Sequence, residues 1–293
     1  MPRISDSLSE VVQADFKRAR FKAFLNNVWG ALSGKPTTLL SYDEVREKLS
    51  IGGPIYKGVE VVEVDKIGGS LNRYHEFDRA FLPKKDNAAQ RWQRVNRAFY
   101  DDISLPAVLL YKVGEVYFVV DGHHRVSVAR EQGQAYIDAD VRECETKIQI
   151  TPDLRPEDLN ILGEKVEFLK RTALDDLRPD ADIKLTILGG FYRMLEHIAV
   201  HRYFMGLDWS RDIPEDEAIT HWYDTVYTPI VKIIRESQVL KNFPDKTEGD
   251  LYLWILDHQH YLAEHEHLPL MNPESAAREF LSDDNEKREL PKR

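Results

Sequence analysis

The residues best suited to chemistry in this sequence form the run Asp121-Gly122-His123-His124-Arg125. Gly122 permits a sharp turn and lets a ligand approach the main chain closely. A helix that begins here would present free N–H groups and a positive dipole end to an anion. Arg125 supplies a fork of donors for phosphate oxygens, while His123 and His124 can donate hydrogen bonds or carry a proton near neutral pH. Asp121 can bind Mg²⁺ or orient a histidine, so the run predicts a phosphate-binding turn.

A structural interpretation of the same turn stays open. Asp121 would then only cap the helix, and the two histidines would simply pack inside the protein. A generic Asp-Gly turn favours this interpretation. Two histidines and an arginine at one strand-to-helix junction give the two interpretations roughly equal weight.

The elements around the turn would place it at one end of a sheet. Residues 116–120 are apolar throughout and predict a buried strand, and residues 126–132 predict a helix that ends at Gly133. Residues 65–70 are interpreted as a loop. The other elements predicted in this part of the chain are strands at 59–64, 106–111 and 137–141 and a helix at 87–100.

The first 54 residues predict a helical arm. A helix is expected over 7–32, and a second helix begins after Ser41, with Glu44 completing its capping box. In the first helix the apolar residues are expected to face the core; they are Val11, Val12, Phe16, Phe21, Phe24 and Leu25. The charged residues are expected on the solvent side; they are Asp15, Lys17, Arg18, Arg20 and Lys22.

From about residue 151 the chain is predicted to be mostly helical. Pro156 lies in the first turn of one helix, and His197 and His201 share a helix face that is expected to be packed rather than metal-bound. The other predicted helices cover 189–205, 215–238 and 248–267. The expected fold class is α/β (α+β), with four segments: a helical N-terminal arm (1–54), a small mixed-sheet domain (55–147), an α-helical C-terminal domain (148–271) and a flexible, highly charged tail (272–293).

The composition limits the function. The net charge of -10 argues against general nucleic-acid binding, because phosphate neutralisation needs a basic surface. No apolar run is long enough to span a membrane, and the first residues lack an apolar signal core. The single cysteine, Cys144, excludes an internal disulfide and a cysteine metal cluster. These features predict a cytoplasmic protein without a membrane partner.

Residues 119–133 (VVDGHHRVSVAREQG) resemble the signature of the ParB/sulfiredoxin-like superfamily. In ParB proteins a similar Gly-Glu-Arg-Arg turn opens a helix that ends in glycine at the same spacing. The resemblance extends over residues 58–145, and the Asp-Gly-His-His-Arg form is most similar to the ParB-fold kinases that phosphorylate free serine. His123 stands where sulfiredoxins carry their catalytic cysteine, and no helix-turn-helix domain of the ParB type follows.

The resemblance implies a nucleotide (ATP, ADP or CTP) and Mg²⁺ as cofactors. It also implies an acidic catalytic residue after the first strand, for which Glu76 and Asp78 are the candidates. Glu76 would take the hydroxyl proton in a phosphoryl transfer, with His123 also in the catalytic set. Asp121 would serve in catalysis and bind the metal ion. The nucleotide phosphates would be bound by Gly122, His123, His124 and Arg125.

Residues 73–97 are locally basic, with seven positive and three negative side chains. They could steer an anion toward the turn, or the part from 91 to 97 could be a solvated helix face. The leading expected function is a Mg²⁺-dependent phosphotransferase or nucleotide hydrolase that acts on a small-molecule or protein acceptor. A non-catalytic nucleotide switch that regulates a protein or DNA partner is the alternative, and a nuclease ranks third. A homodimer stays open.

Overall fold

In a computed structural model, the described residues are 4–33, 36–265 and 272–283. The chain divides into two compact units, Met1–Leu159 and Asn160–Arg293. The first unit contains a mixed sheet with helices and the second is helical, which confirms the expected α/β fold class. Within the described residues, no helix is long and apolar enough to cross a membrane.

The boundary between the units lies later along the chain than residue 147, where the sequence analysis placed it. Residues 148–158 belong to the first unit because they bond to its sheet and loops. The Glu115 N–H donates to the Ile150 carbonyl at 3.0 Å, and the Arg79 guanidinium donates to the Leu154 carbonyl at 2.9 Å.

Six strands form one sheet in the order β1-β3-β5-β4-β6-β2. They are β1 (Leu40–Ser41), β2 (Pro54–Glu63), β3 (Ile67–Ser70), β4 (Val108–Val113), β5 (Val116–Asp121) and β6 (Tyr136–Cys144). β5 is parallel to β3 and antiparallel to β4, so β3 and β5 end at the same edge of the sheet. The core of the sheet is apolar, with Leu110, Val119 and Val141 fully buried.

Among the described residues, the α-helices of the first unit are α1 (Ile4–Ser33), α2 (Tyr42–Leu49), α3 (Ala89–Tyr100) and α4 (His123–Glu131). The helix predicted after Ser41 is confirmed, because the Ser41 hydroxyl accepts from the Glu44 N–H at 3.4 Å. The strands predicted at 59–64, 106–111, 116–120 and 137–141 and the helices at 7–32, 87–100 and 126–132 are also present, with shifted ends.

The loop predicted over 65–70 is wrong, because Ile67–Ser70 forms β3 inside the sheet. A strand of only four residues with Gly68 and Gly69 carries no alternating pattern that a sequence analysis could detect. The glycines are required by close packing: a Cβ built on Gly69 would lie 2.1 Å from the Phe118 ring.

The predicted buried face of α1 is confirmed for Val12 and Phe16 and is wrong for its other four members. Val11, Phe21, Phe24 and Leu25 are exposed, whereas Asp15, predicted on the solvent side, is only 3% exposed. The face that packs against α3 is instead formed by small and aromatic side chains together with Asp15; its apolar members are Val12, Phe16, Ala19 and Ala23. Apolar residues occur all around this helix, so periodicity alone could not select the packed side.

The second unit is built from helices around one apolar core. They are α5 (Leu159–Thr172), α6 (Leu174–Leu177), α7 (Gly190–Trp209), α8 (Glu215–Trp222), α9 (Thr228–Ser237), α10 (Glu248–His265) and α11 (Pro273–Asp283). α8 continues into α9 through one π-helical turn, Tyr223–Tyr227. Trp222, Tyr252 and Phe191 lie in the centre of the core.

The prediction of a disordered tail from residue 272 is wrong for its first part. Pro273–Asp283 forms α11, Ala277 is fully buried in the core, and the Phe280 ring lies 5.4 Å from the ring of His258. Small alanines buried against α9 and α10 give little hydrophobic signal in the sequence. The rest of the predicted arm and tail (1–3, 34–35, 284–293) and the end of the last predicted helix (266–267) lie outside the described residues.

Candidate functional site

The turn between β5 and α4 depends on Gly122. This residue has φ +97°, a left-handed conformation that favours glycine, and a Cβ at this position would lie 2.6 Å from Val108 Cγ1. Gly122 is the N-cap of α4 and has no side chain to cap the helix. The first-turn N–H groups of His123, His124 and Arg125 therefore have no intrahelical acceptor and can bind an anion.

Arg125 and Asp121 are engaged with each other and with the neighbouring loop. The Arg125 guanidinium donates to the Asp121 carboxylate at 2.6 Å, to the Ala107 carbonyl at 2.9 Å and to the Pro106 carbonyl. Its side chain is 15% exposed, whereas that of Asp121 is 75% exposed. Part of the Arg125 guanidinium, which the sequence analysis assigned to phosphate, is thus used to fix the segment before β4.

The two histidines of the turn are buried and neutral. His123 is 5% exposed and His124 is 8% exposed, and both pack against the Phe77 ring. Burial first, and the nearby Arg73 guanidinium second, lower the pKa of each imidazole to about 4. At neutral pH each ring therefore offers one N–H donor and one acceptor nitrogen.

Ser70 is a partner of His123 that the sequence analysis missed. Its hydroxyl lies 2.8 Å from Nε2 of His123 and accepts from the Arg73 N–H at 3.0 Å. Ser70 ends β3 and His123 follows β5, so the parallel pairing of these strands brings the two residues together. Ser70 is fully buried, which suits a positioning role. Only recognition of β3 as a strand could have revealed it.

Arg73 joins the second histidine to Glu76. One Arg73 nitrogen lies 3.4 Å from Nε2 of His124, and Arg73 Nε donates to the Glu76 carboxylate at 2.9 Å. Because a guanidinium only donates, Nε2 of His124 must accept, and its proton is on Nδ1. Nδ1 is buried, and none of the residues that the structure describes forms a hydrogen bond with it. The turn therefore contains a buried N–H donor that lacks an acceptor.

Glu76 and Asp78, the two acidic candidates, have different roles. The hydrogen bonds from Arg73 hold the pKa of Glu76 below its ordinary value, so it is a carboxylate at neutral pH, close to both histidines. Asp78 is 1% exposed and accepts from the Leu82 N–H at 2.8 Å and from Asn26 at 3.0 Å. Asp78 thus holds a turn, and Glu76 is the acid at the site.

The basic segment 73–97 does not act as one patch. Arg73 borders the site, and Arg91 contributes to lowering the pKa of His124. Arg79 instead donates to backbone carbonyls, and burial lowers its pKa to about 10. The Arg97 guanidinium donates to Ser9 of α1. The sequence analysis counted Arg73 among the basic residues of this segment without assigning it a role.

The donor set fits phosphate better than a protein-bound metal. Among the described residues, no group of three or more His, Cys, Asp or Glu side chains is arranged to hold a metal ion. At the site, Asp121 offers an exposed carboxylate. Mg²⁺ is commonly held by one or two carboxylates together with substrate phosphates, so Asp121 could hold Mg²⁺ only when phosphates are bound. The free N–H groups, His124 Nδ1 and Arg73 are donors that match phosphate oxygens.

A groove of about 410 Å³ opens beside Arg125. Its lining residues come from α3, the α3–β4 connection, α4 and strands β2 and β6; they include the apolar Phe99, Ile103 and Leu105 and the polar Asp102, Gln134 and Asp138. Neither His123 nor His124 lines it. The groove thus adds a surface of mixed polarity on the Arg125 side of the turn.

His197, His201 and His221 of the helical unit bond to neighbouring side chains, and no metal-binding group is formed among the described residues. His197 Nδ1 lies 3.3 Å from the Tyr252 hydroxyl, and His201 Nε2 lies 2.8 Å from His221 Nδ1. Burial lowers the pKa of both His197 and His201. These contacts agree with the expected packed face.

No protein-family model, curated protein or solved structure matches this chain.

Proposed function

We propose that this protein binds the phosphate groups of a nucleotide at the amino end of α4. The observation that carries the proposal is the buried His124 Nδ1–H without an acceptor, next to first-turn N–H groups that lack a cap. An unsatisfied buried donor costs about 1–3 kcal/mol, so a phosphate oxygen that reaches it would stabilise the protein. Arg73, half-exposed beside His124, adds a positive charge.

The proposed reaction is a Mg²⁺-dependent phosphoryl transfer or nucleotide hydrolysis, as in the ParB-fold kinases that the sequence resembles. Mg²⁺ would neutralise charge on the phosphates, with Asp121 as its protein ligand. Glu76 would accept the proton of the attacking hydroxyl or water. While Arg73 is paired with Glu76, this carboxylate is a weak base. Attraction of Arg73 to phosphate would loosen the pair and raise the pKa of Glu76 toward its ordinary value.

A nucleotide-dependent switch is the second candidate function. Two observations favour it. Arg73 is paired with Glu76, the carboxylate that we assign as the base, and hydrogen bonds hold the Arg125 guanidinium to backbone carbonyls. Such a protein would bind nucleotide without turnover. For either function we propose a cytoplasmic location, because the free Cys144 is buried and suits a reducing compartment.

Binding is tested by thermal shift and calorimetry with ATP, ADP and CTP, each with and without Mg²⁺. We expect one nucleotide to raise the Tm, and we expect Arg73→Ala to weaken its binding at least tenfold. The matched control is Lys85→Ala, which removes an exposed cation of the same segment and should change nucleotide binding less than twofold. If none of the nucleotides raises the Tm in either condition, the proposal fails.

Catalysis is tested separately on the nucleotide that binds. For an enzyme, Glu76→Gln should abolish turnover and leave the Kd for the nucleotide within about threefold of the wild-type value. Asp121→Asn should weaken only the part of nucleotide binding that depends on Mg²⁺. Binding without measurable turnover in the wild-type protein would leave the switch as the function.

A further inference from the structure

The helix α1 has two apolar faces. One face packs against α3, with Phe16, Ala19 and Ala23 buried. The other face consists of six exposed apolar side chains, which we call the α1 stripe: Phe21 (60% exposed), Phe24 (60%), Leu25 (46%), Val28 (44%), Trp29 (68%) and Leu32 (78%). At 100° per residue, the centre of the stripe lies roughly opposite the packed face.

From these observations we propose that the α1 stripe is the interface of a symmetric dimer, in which α1 helices of two copies of this chain pack antiparallel. Two-fold dimers use the same patch on both subunits, which must be complementary to itself. About the midpoint between Asn26 and Asn27, each stripe position faces another stripe position. Phe21 meets Leu32 of the second copy, Phe24 meets Trp29, and Leu25 meets Val28.

The area of the stripe suits a dimer. With large side chains of about 150–250 Å² each, the exposed fractions leave roughly 650 Å² of apolar surface per copy. Monomeric proteins rarely expose a contiguous apolar patch larger than a few hundred Å². Complete covering of two stripes would bury about 1,300 Å², within the range of specific protein–protein interfaces.

The charges favour a second copy over a membrane surface. Residues 23–33 contain no charged side chain, so nothing in the stripe selects a charged partner. Three cations at its start are already paired within the chain: Arg18 with Asp15 and Glu131, Arg20 with Asp86, and Lys22 with Glu131. With these cations neutralised and a net charge of -10, α1 has little attraction for anionic lipid headgroups.

Between residues 20 and 33 of α1, the antiparallel register places no like charges together. Lys22 is opposite Ala31 of the second copy, and the two central pairs are uncharged asparagines. The polar residues at the centre, Asn26 and Asn27, lie toward the packed side, where Asn26 donates to Asp78 at 3.0 Å. The stripe itself is therefore free of groups that would be buried without a partner.

The mass of the full chain in solution tests the proposal, by sedimentation and light scattering from 1 to 100 μM. The wild-type protein should have the mass of two chains, and Leu25→Glu should weaken the dimer at least 100-fold because it places two charges in the interface. Val11→Glu, an exposed apolar residue of α1 outside the stripe, is the matched control and should remain a dimer. Circular dichroism confirms that each variant is folded.

The orientation is tested by disulfide cross-linking, since Cys144 is buried and does not interfere. Phe21→Cys combined with Leu32→Cys should give covalent dimers, because position 21 of each copy faces position 32 of the other. Phe21→Cys alone should not, because its two copies would lie about 16 Å apart along the helix axes.

Three results would overturn the proposal. They are a monomeric wild-type protein at 100 μM, a dimer that survives Leu25→Glu, and cross-linking of Phe21→Cys alone. Binding of a monomeric wild-type chain to phosphatidylglycerol vesicles, lost in Leu25→Glu, would assign the stripe to a membrane instead.

Discussion

His123 and His124 show how burial decides the protonation of a site. An imidazole at the surface is half protonated near pH 6.5, but these two rings have pKa values of about 4. The unfolded chain therefore binds more protons than the folded chain between these pH values. Stability is fully present above about pH 6.5 and is lost as the pH falls toward 4.

This difference in protonation gives a measurable pH dependence. For His123, the shift predicts a loss of about 1–2 kcal/mol in unfolding free energy between pH 7 and pH 5. In His123→Gln, urea denaturation at the two pH values should show a loss smaller by about that amount. His75→Gln, at an exposed position, should keep the wild-type dependence. An unchanged pH dependence in His123→Gln would contradict the buried neutral imidazole.

Gly122 sets the geometry of the turn, so its replacement should be costly. Gly122→Ala places a Cβ at φ +97° and 2.6 Å from Val108, and we expect a loss of about 2–4 kcal/mol in unfolding free energy. Gly133→Ala, at φ +70° with open space around it, should cost only about 1 kcal/mol. Equal costs for the two variants would show that close packing at Gly122 does not matter.

At the scale of elements, a buried carboxylate fixes α1 to α3. Although burial raises the pKa of Asp15, hydrogen bonds from Asn96 and Tyr100 and the charge of Arg18 lower it more, and the group stays ionised. The Asn96 amide donates at 2.9 Å and the Tyr100 hydroxyl at 2.8 Å. The packed side of α1 is thus specified partly by one acidic side chain.

Asp15→Ala would leave these donors without their acceptor. We expect a loss of about 2–3 kcal/mol in unfolding free energy, measured by chemical denaturation. Lys17→Ala, at an exposed position of the same helix, should change stability by less than about 0.5 kcal/mol. A loss below about 1 kcal/mol in Asp15→Ala would show that water replaces the carboxylate.

The sequence predicted the elements with strong local signals and missed those defined by long-range packing. The strand–turn–helix around Gly122 could be predicted because apolar run, glycine and helix pattern are contiguous. β3 could not, since its pairing with β5 joins segments about 50 residues apart in the chain. The orientation of α1 depends on Asp15, which no hydrophobic pattern marks as buried.

The candidate site was predictable to the same extent. The histidines and Glu76 were named from the sequence, because their residue types suit phosphate chemistry. The roles of Ser70 and Arg73 depend on distances across the fold, 2.8 Å to His123 and 3.4 Å to His124. The hydrogen bond from Arg125 to the loop before β4 likewise becomes evident only in the tertiary structure.

At the scale of the whole molecule, each of the two units has its own core. The candidate site lies entirely within Met1–Leu159, since its residues come from β3, the segment after it and the β5–α4 turn. A protein of residues 1–159 should therefore fold alone and bind the same nucleotide within about threefold of the full-chain Kd. Circular dichroism and calorimetry check this, and an unfolded fragment would contradict it.

The π-helical turn at Tyr223–Tyr227 lets one long helix keep a continuous apolar side despite an extra residue. Buried positions step by three or four along α8 to Trp222, then by five to Tyr227, and by three or four again to Ile230 and Ile234. A homologue with one residue fewer in this turn could form an uninterrupted α-helix with the same buried positions. Alignments of such homologues should therefore place a single-residue gap in this turn, while the buried position of Tyr227 stays apolar or aromatic.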